Sequence, residues 1–364
     1  MTYLDRVAAI IGKIRAEHRY RKLPDRQLSG FIDFSSNDYL GLATDPQVVE
    51  ALKHATRVGS GGARLLGGRH REDSLLEEEL ALWLGRQRAL LFSSGYLAGV
   101  GAIPVLAETV ATILSDQFNH ASLIDGSRLA RIPRTIYPHA SLPAGHQGSA
   151  LIVSESIFSM EGDAIDPAAL LAGLQTGGVL LLDEAHALGV AGQEGAGLAR
   201  GLDDPRIIIL GTLSKGLGTQ GGFIAGPAAV IELLVNRART FIFDTALPPS
   251  LVLAARIALL LARRGDDRRE RLHANAGRLV EGLRAIGIPT PNVAGAIVPL
   301  VLGTEERALQ VSEQLMKRRI FVPAIRPPTV PPGASRLRFS VRANHTAEQI
   351  DLLIDALRPC IATS

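Results

Sequence analysis

Short, uninterrupted apolar runs separated by polar or glycine-rich turns dominate residues 89–226. Residues 89–92, 113–115, 150–153, 179–182 and 207–210 are each too short for a stable helix. Their apolar character is continuous rather than alternating, which marks strands covered on both faces. Helical segments lie between them. The pattern therefore predicts an α/β fold, a mostly parallel central sheet with helices on both faces. Residues 221–226 predict one more strand, turning back antiparallel.

Outside that block the periodicity changes. Residues 2–23 place Leu4, Val7, Ala8, Ile10, Ile11 and Ile14 among charges, an amphipathic helix that must pack on something. Residues 31–36 read as a short strand and residues 75–84 as a helix. The glycines between 59 and 68 suggest backbone packed closely on a ligand or a second subunit, with an ordinary mobile loop as the alternative. After Pro248-Pro249 the pattern gives helices at 251–261, 268–286, 308–317 and 347–357, and strands at 296–301, 320–322 and 336–341. The last strand alternates, so it is expected half-buried, with Arg336 and Arg338 on one face and Leu337 and Phe339 on the other. The expected organisation is an N-terminal helix and arm (1–38), a large domain (39–245), and a linking helix with a smaller α+β C-terminal domain (246–364).

Composition narrows the function classes. A formal charge of +3, with no basic stripe interleaved with aromatics, argues against nucleic acid. The only cysteine, Cys360, excludes an intrachain disulfide and a multi-cysteine metal site. No run of about 18 apolar residues predicts a membrane span, and no secretory segment opens the chain. A cytoplasmic enzyme without a metal is the expectation.

The candidate chemistry sits where two of the strands end. The 207–210 run leads into Gly211-Thr212-Leu213-Ser214-Lys215-Gly216. Taken alone, Lys215 is also compatible with a snorkelling surface amine. The 179–182 run, however, ends in Asp183-Glu184-Ala185-His186, and ligands of parallel sheets bind beyond the carboxyl ends of strands. Together they point to a Schiff-base lysine holding pyridoxal 5′-phosphate, with Thr212 and Ser214 near the phosphate. Asp183 would hold the pyridine nitrogen protonated and His186 would bond the phenolic oxygen. Lys215 precedes its glycines, so this is not a nucleotide-binding P-loop.

Five motifs then occur in a fixed order: Ser36-Asn37-Asp38-Tyr39-Leu40-Gly41-Leu42, residues 119–126, residues 156–163, Asp183 to His186, and Thr212 to Lys215. By these the chain resembles the α-oxoamine synthases, a branch of the fold-type-I pyridoxal-phosphate transferases. The resemblance implies a catalytic set of Lys215, His120, Asp183 and His186. In it, His120 stacks on the pyridine ring and Ser159 joins His186 at the phenolic oxygen. Gly95, Tyr96, Thr212 and Ser214 surround the phosphate, and Thr245 reaches it across a homodimer interface. Asn37 and Arg336 are implied to position the amino-acid carboxylate, with Arg19 and Arg21 facing an acyl thioester.

Residues 324–331 look most like the branch that condenses L-alanine with a pimeloyl thioester in biotin synthesis, releasing CO2. Joining glycine to acetyl-CoA is the alternative. A catalytically silent partner subunit of the same fold is a reading from another class. The chain departs from the family pattern at Asp73, at Glu161, and at Asp244-Thr245-Ala246.

Overall fold

The computed structural model describes residues 1–21, 23, 30–139, 141 and 148–361. Lys22, which belongs to the basic stretch with Arg19 and Arg21, lies outside the described residues. The strands are β1 (Ile32–Asp33), β2 (Arg88–Phe92), β3 (Thr112–Asp116), β4 (Arg134–Tyr137), β5 (Ala150–Glu155) and β6 (Val179–Asp183). They continue with β7 (Ile207–Thr212), β8 (Gly222–Gly226), β9 (Ile297–Gly303), β10 (Ile320–Phe321), β11 (Ala324–Ile325) and β12 (Ser335–Ser340).

The main sheet has the order β2-β8-β7-β6-β5-β3-β4. Strands β3 to β7 pair in parallel, and β8 runs antiparallel to both β2 and β7. The apolar runs are continuous because successive side chains enter two different cores. Ile207 and Ile209 pack in one core with Leu80, Trp83 and Val252, while Ile208 and Leu210 pack in the other with Ala98, Ile103 and Leu234. All four strand residues are essentially inaccessible. Fully burying an isoleucine or leucine contributes about 1.5–3 kcal/mol, so this strand is strongly tied to both layers.

The strand order has a consequence for chemistry. It lines up Thr212, Asp183, Glu155 and Asp116, the last residues of β7, β6, β5 and β3, along one carboxyl edge.

Three expectations change. Strand β4 goes unseen in the apolar pattern because only Tyr137 of its four residues is buried. The helix expected over 2–23 spans Tyr3–Ala16 and buries none of its residues, with Leu4 71% and Ile10 62% exposed. Among the described residues its apolar face is left largely uncovered. Strand β12 is buried throughout rather than by halves, because the helix Glu305–Lys317 packs on the strand and residues 159–161 cover the face bearing Arg336 and Arg338. Strand β1 pairs in parallel with β10, which ties the segment before Asn37 to the C-terminal part of the chain.

Candidate active site

Beyond Thr212 the chain turns Lys215 over the carboxyl edge of the sheet. A Cβ on Gly216 would stand 2.2 Å from the Leu188 carbonyl oxygen. Only glycine lets the loops after β6 and β7 touch so closely, and that contact brings His186 to Lys215. Lys215 Nζ lies 2.9 Å from His186 Nε2, and His186 Nδ1 lies 2.6 Å from the Tyr39 hydroxyl. Burial lowers the Lys215 pKa against the charges of Asp183 and Glu155. Burial also holds His186 well below its ordinary range, and the Lys215 charge adds to that effect. A lysine amine biased towards its neutral form is a nucleophile.

The β5–β6 register sets Glu155 beside Asp183, and both are buried. Asp183 Oδ1 accepts the Ala185 N–H at 2.9 Å. Burial raises the Asp183 pKa, with Lys215 and then the Ala185 N–H opposing. Burial raises Glu155 well above the carboxylate range, and the Asp183 charge raises it further. Adjacent buried carboxyls do not both ionise readily, and the rise is the stronger at Glu155. Glu155 Oε2 accepts the Ser159 N–H at 3.2 Å, whereas its buried Oε1 has no hydrogen-bond partner.

His120 caps the helix Ala121–Leu129, its Nδ1 accepting the Ser122 N–H at 3.2 Å. Burial lowers its pKa, with Asp183 raising and Lys215 lowering it, so the ring faces both charges. Glu184 braces the surrounding loops. Its carboxylate accepts from Ser156 Oγ at 2.5 Å and from the N–H groups of Leu198 and Ala199 at 3.1 and 2.7 Å.

The phosphate-type cradle forms where the helix Gly95–Leu106 begins. Ser94 caps it by accepting the Leu97 N–H at 3.1 Å. A Cβ on Gly95 would lie 3.1 Å from Thr212 Cβ, and Thr212 Oγ1 is 2.8 Å from Ser214 Oγ. Two hydroxyls thus meet a helix N-terminus whose amides favour an anion. Tyr96 stands in that first turn, but its hydroxyl donates to Asp125 Oδ2 at 2.7 Å. Thr245 is bridged to Ala63 and shares a small cleft with Arg64, Asp73 and Ser93.

A second cluster adjoins Lys215. Asn37 Oδ1 accepts from Arg338 Nη1 at 3.1 Å, from Ser340 Oγ at 3.2 Å, and lies 3.2 Å from the Tyr39 hydroxyl. Arg338 also donates from Nε to the Ser159 carbonyl at 2.5 Å. Arg336 is placed differently. Its Nη1 binds Glu161 Oε1 at 3.0 Å and the Met160 carbonyl at 2.9 Å, and its Nε binds the Ala334 carbonyl at 3.1 Å. Asn37 is therefore joined to Arg338 and not to Arg336.

Arg19 pairs with Glu17 at 3.1 Å and approaches Glu305 at 3.7 Å, while Arg21 donates to the Pro327 carbonyl at 3.5 Å. The departures at Asp73 and Asp244 also have local roles. Asp73 accepts the His70 N–H at 3.0 Å and lies 3.7 Å from Arg64 Nε, and Asp244 accepts from Ser93 Oγ.

Reasoning from sequence passed over Arg338, Tyr39, Glu155 and His139. Glu155 carried a usable signal, an acid ending an apolar run just as Asp183 does. His139 carried none. It bridges Asp116 at 3.1 Å and Asp163 at 2.9 Å, tying the loop that bears His120 to the loop that bears Ser159. Burial lowers its pKa, but the two carboxylates outweigh burial and raise it to about 10.

Comparisons with known proteins bear on this arrangement. The family model described as "Aminotransferase class I and II" matches residues 29–357. An 8-amino-7-oxononanoate synthase of Methylococcus capsulatus is 42% identical, covering 91% of this chain and 89% of the relative. One from Burkholderia mallei is 45% identical, covering 90% and 88%. The chain belongs to the α-oxoamine synthase family. Among solved structures, the serine palmitoyltransferase of S. paucimobilis with bound PLP and myriocin has a TM-score of 0.90 at 27% identity, covering 100% of this chain and 99% of that one. An 8-amino-7-oxononanoate synthase from Francisella tularensis has a TM-score of 0.81 at 28% identity, covering 92% and 99%.

This α-oxoamine synthase is a fold-type-I acyltransferase whose cofactor is pyridoxal phosphate. The residues fit that group. A poised amine, a buried carboxylate, a buried imidazole and an anion cradle converge at one sheet edge, and Glu155 Oε1 is a buried polar atom left without a partner. Among the described residues no helix is long and apolar enough to cross a membrane.

Proposed function

We propose that the chain condenses L-alanine with a pimeloyl thioester, on CoA or a carrier protein, to give 8-amino-7-oxononanoate, CO2 and the free thiol. Its product is the one in the name of the relatives at 42% and 45% identity, and that likeness, spanning nine-tenths of the chain, carries the reading. The likeness to serine palmitoyltransferase is closer in shape but only 27% identical, which supports the shared chemistry and not the substrate.

Bound pyridoxal phosphate would supply an electron sink for the carbanion formed at the amino-acid Cα. Lys215 would hold it covalently, and its freed amine would take the Cα proton and return one after CO2 leaves. Asp183, kept anionic beside Lys215, would stabilise positive charge at the pyridine nitrogen. His120 would lie against the ring, and His186 with Ser159 would surround the phenolic oxygen. Gly95, Tyr96, Thr212 and Ser214 would hold the phosphate by backbone amides and hydroxyls.

Asn37 and Arg338 are proposed to hold the substrate carboxylate, in place of the pairing of Asn37 with Arg336. Arg338 Nη1 already sits on Asn37 Oδ1, whereas Glu161 neutralises Arg336. The amino-acid Cα so held would be presented to the thioester carbonyl, with the thiol as the leaving group. Residues 39–245 are taken as the cofactor-holding unit, 1–38 as an arm, and 246–364 as the linking helix and smaller unit, acting in the cytoplasm.

The test is mass analysis of products from alanine and from glycine, each with acetyl-CoA and pimeloyl-CoA. Alanine with pimeloyl-CoA should give 8-amino-7-oxononanoate at least tenfold faster than glycine with acetyl-CoA gives its product, since a fitted pocket discriminates by about that factor per methylene. Faster turnover of glycine with acetyl-CoA would replace the reading.

A homodimer with its active sites at the interface belongs to the same proposal. The largely exposed apolar face of the helix Tyr3–Ala16 supports it. Light scattering should return a mass of twice 38.7 kDa. A monomer that turns over at full rate would remove it.

A further inference from the structure

Tyr39 is fully buried in the turn that follows β1, two residues beyond Asn37. Its backbone is held at both ends, the N–H on the Asn37 carbonyl at 2.8 Å and the carbonyl on the Ala343 N–H at 2.8 Å. Burial raises the phenol, with Arg338 opposing, so the hydroxyl keeps its hydrogen and has one to donate. Two acceptors compete for it: Asn37 Oδ1 at 3.2 Å and His186 Nδ1 at 2.6 Å.

The amide oxygen has two lone pairs, and Arg338 Nη1 and Ser340 Oγ already donate to it at 3.1 and 3.2 Å. With the amide oxygen so occupied, the hydroxyl hydrogen goes to His186 Nδ1, which lies at 2.6 Å against 3.2 Å for Asn37 Oδ1. A neutral imidazole that accepts at Nδ1 must carry its own hydrogen at Nε2, and Nε2 is the atom 2.9 Å from Lys215 Nζ. We infer that Tyr39 is a positioning residue that sets His186 in its Nε2–H tautomer, so that the ring presents a donor to the nitrogen carried by Lys215.

The arrangement has a direct effect on that nitrogen. An N–H facing an ammonium brings two donors together, whereas an N–H facing a neutral nitrogen makes a hydrogen bond. The tautomer set by Tyr39 thus favours the unprotonated form. The other charged groups acting on Lys215 are Asp183 and Glu155, which favour the proton, and Arg338, which disfavours it. His186 itself faces the charges of Lys215, Arg338 and His120. Arg338 touches Asn37 and acts on Tyr39, so the relay runs from the proposed carboxylate site to the amine. Only that last link rests on the function proposed above, because the tautomer is a property of the chain without substrate.

Nitrogen-15 spectra of the full-length protein, labelled at histidine and recorded with and without pyridoxal phosphate, test this directly. His186 is assigned by comparison with His186→Asn. The wild-type protein should show Nε2 protonated and Nδ1 as an acceptor, and an Nδ1–H tautomer would overturn the inference.

In Tyr39→Phe, which keeps the ring volume, the His186 signals should move towards a mixture of tautomers. The midpoint of the visible absorbance titration of the cofactor-loaded variant should rise by about one pH unit, the size of one lost hydrogen bond. A variant that binds the cofactor stoichiometrically yet keeps the wild-type midpoint would also overturn it. A purely structural role for Tyr39 would lower the melting temperature and leave both spectroscopic readouts in place. Failure of the alanine reaction alone would leave them unchanged, so the two proposals fail separately.

Discussion

Replacing Lys215 by alanine is expected to reduce kcat by about 10³–10⁴-fold, the upper range for removing a general acid–base residue. The same substitution should abolish the adduct that borohydride traps on this residue in the cofactor-loaded wild-type protein. The size of the effect follows from the absence of a substitute. Nζ sits 2.9 Å from His186 Nε2 and is poised by burial between Asp183, Glu155 and Arg338. His186 is itself held neutral, and His120 is committed through Nδ1 to Ser122. Peptide mapping after reduction checks the covalent site, and turnover of alanine with pimeloyl-CoA checks the rate. A reduced adduct that survives in Lys215→Ala, or turnover within tenfold of wild type, would remove Lys215 from the chemistry. Folding is not at issue in this comparison. Truncating a half-buried lysine leaves the apolar layers around β7 untouched, and the melting temperature should stay within a few degrees.

The central sheet was legible because its physics is local. Strands buried on both faces must be apolar without alternation, and those of β5, β6 and β7 fall where the runs predicted them. The residues that end β6 and follow β7 were legible for the same reason, since a charged group closing such a run needs a purpose at the sheet edge. What stayed hidden depends on pairings distant in sequence. Asp163 and Asp116 meet at His139 only through the fold, and His139 itself carries no local pattern. Glu155 becomes informative only when the β5–β6 register sets it against Asp183. The amphipathic pattern of Tyr3–Ala16 correctly gave a helix but could not name its partner, and among the described residues its apolar face stays largely exposed. The hydroxyl of Tyr39 likewise meets His186 only in the folded chain.

Arg336 and Arg338 show the same limit most sharply, and they give the second large effect. Two arginines spaced i, i+2 on one strand share a face, so periodicity cannot choose between them. Their neighbours can. Arg338→Gln is expected to raise KM for L-alanine by about 100-fold, which corresponds to about 2.7 kcal/mol, within the range for truncating one member of a buried charged hydrogen-bonded pair. Arg336→Gln should change that KM less than about threefold and instead lower the melting temperature, because Glu161 loses its partner in a largely buried site.

Steady-state kinetics over an alanine series, with pimeloyl-CoA saturating, separates the two variants. Arg338 also donates to the Ser159 carbonyl, so part of its loss falls on kcat through the loop that carries Ser159. A lysine at 338 retains charge without the two-pronged geometry and should recover affinity only in part. If Arg336→Gln raises the alanine KM as much as Arg338→Gln does, the carboxylate does not bind where Asn37 and Arg338 meet. The amino acid would then have to enter on the Glu161 side of β12.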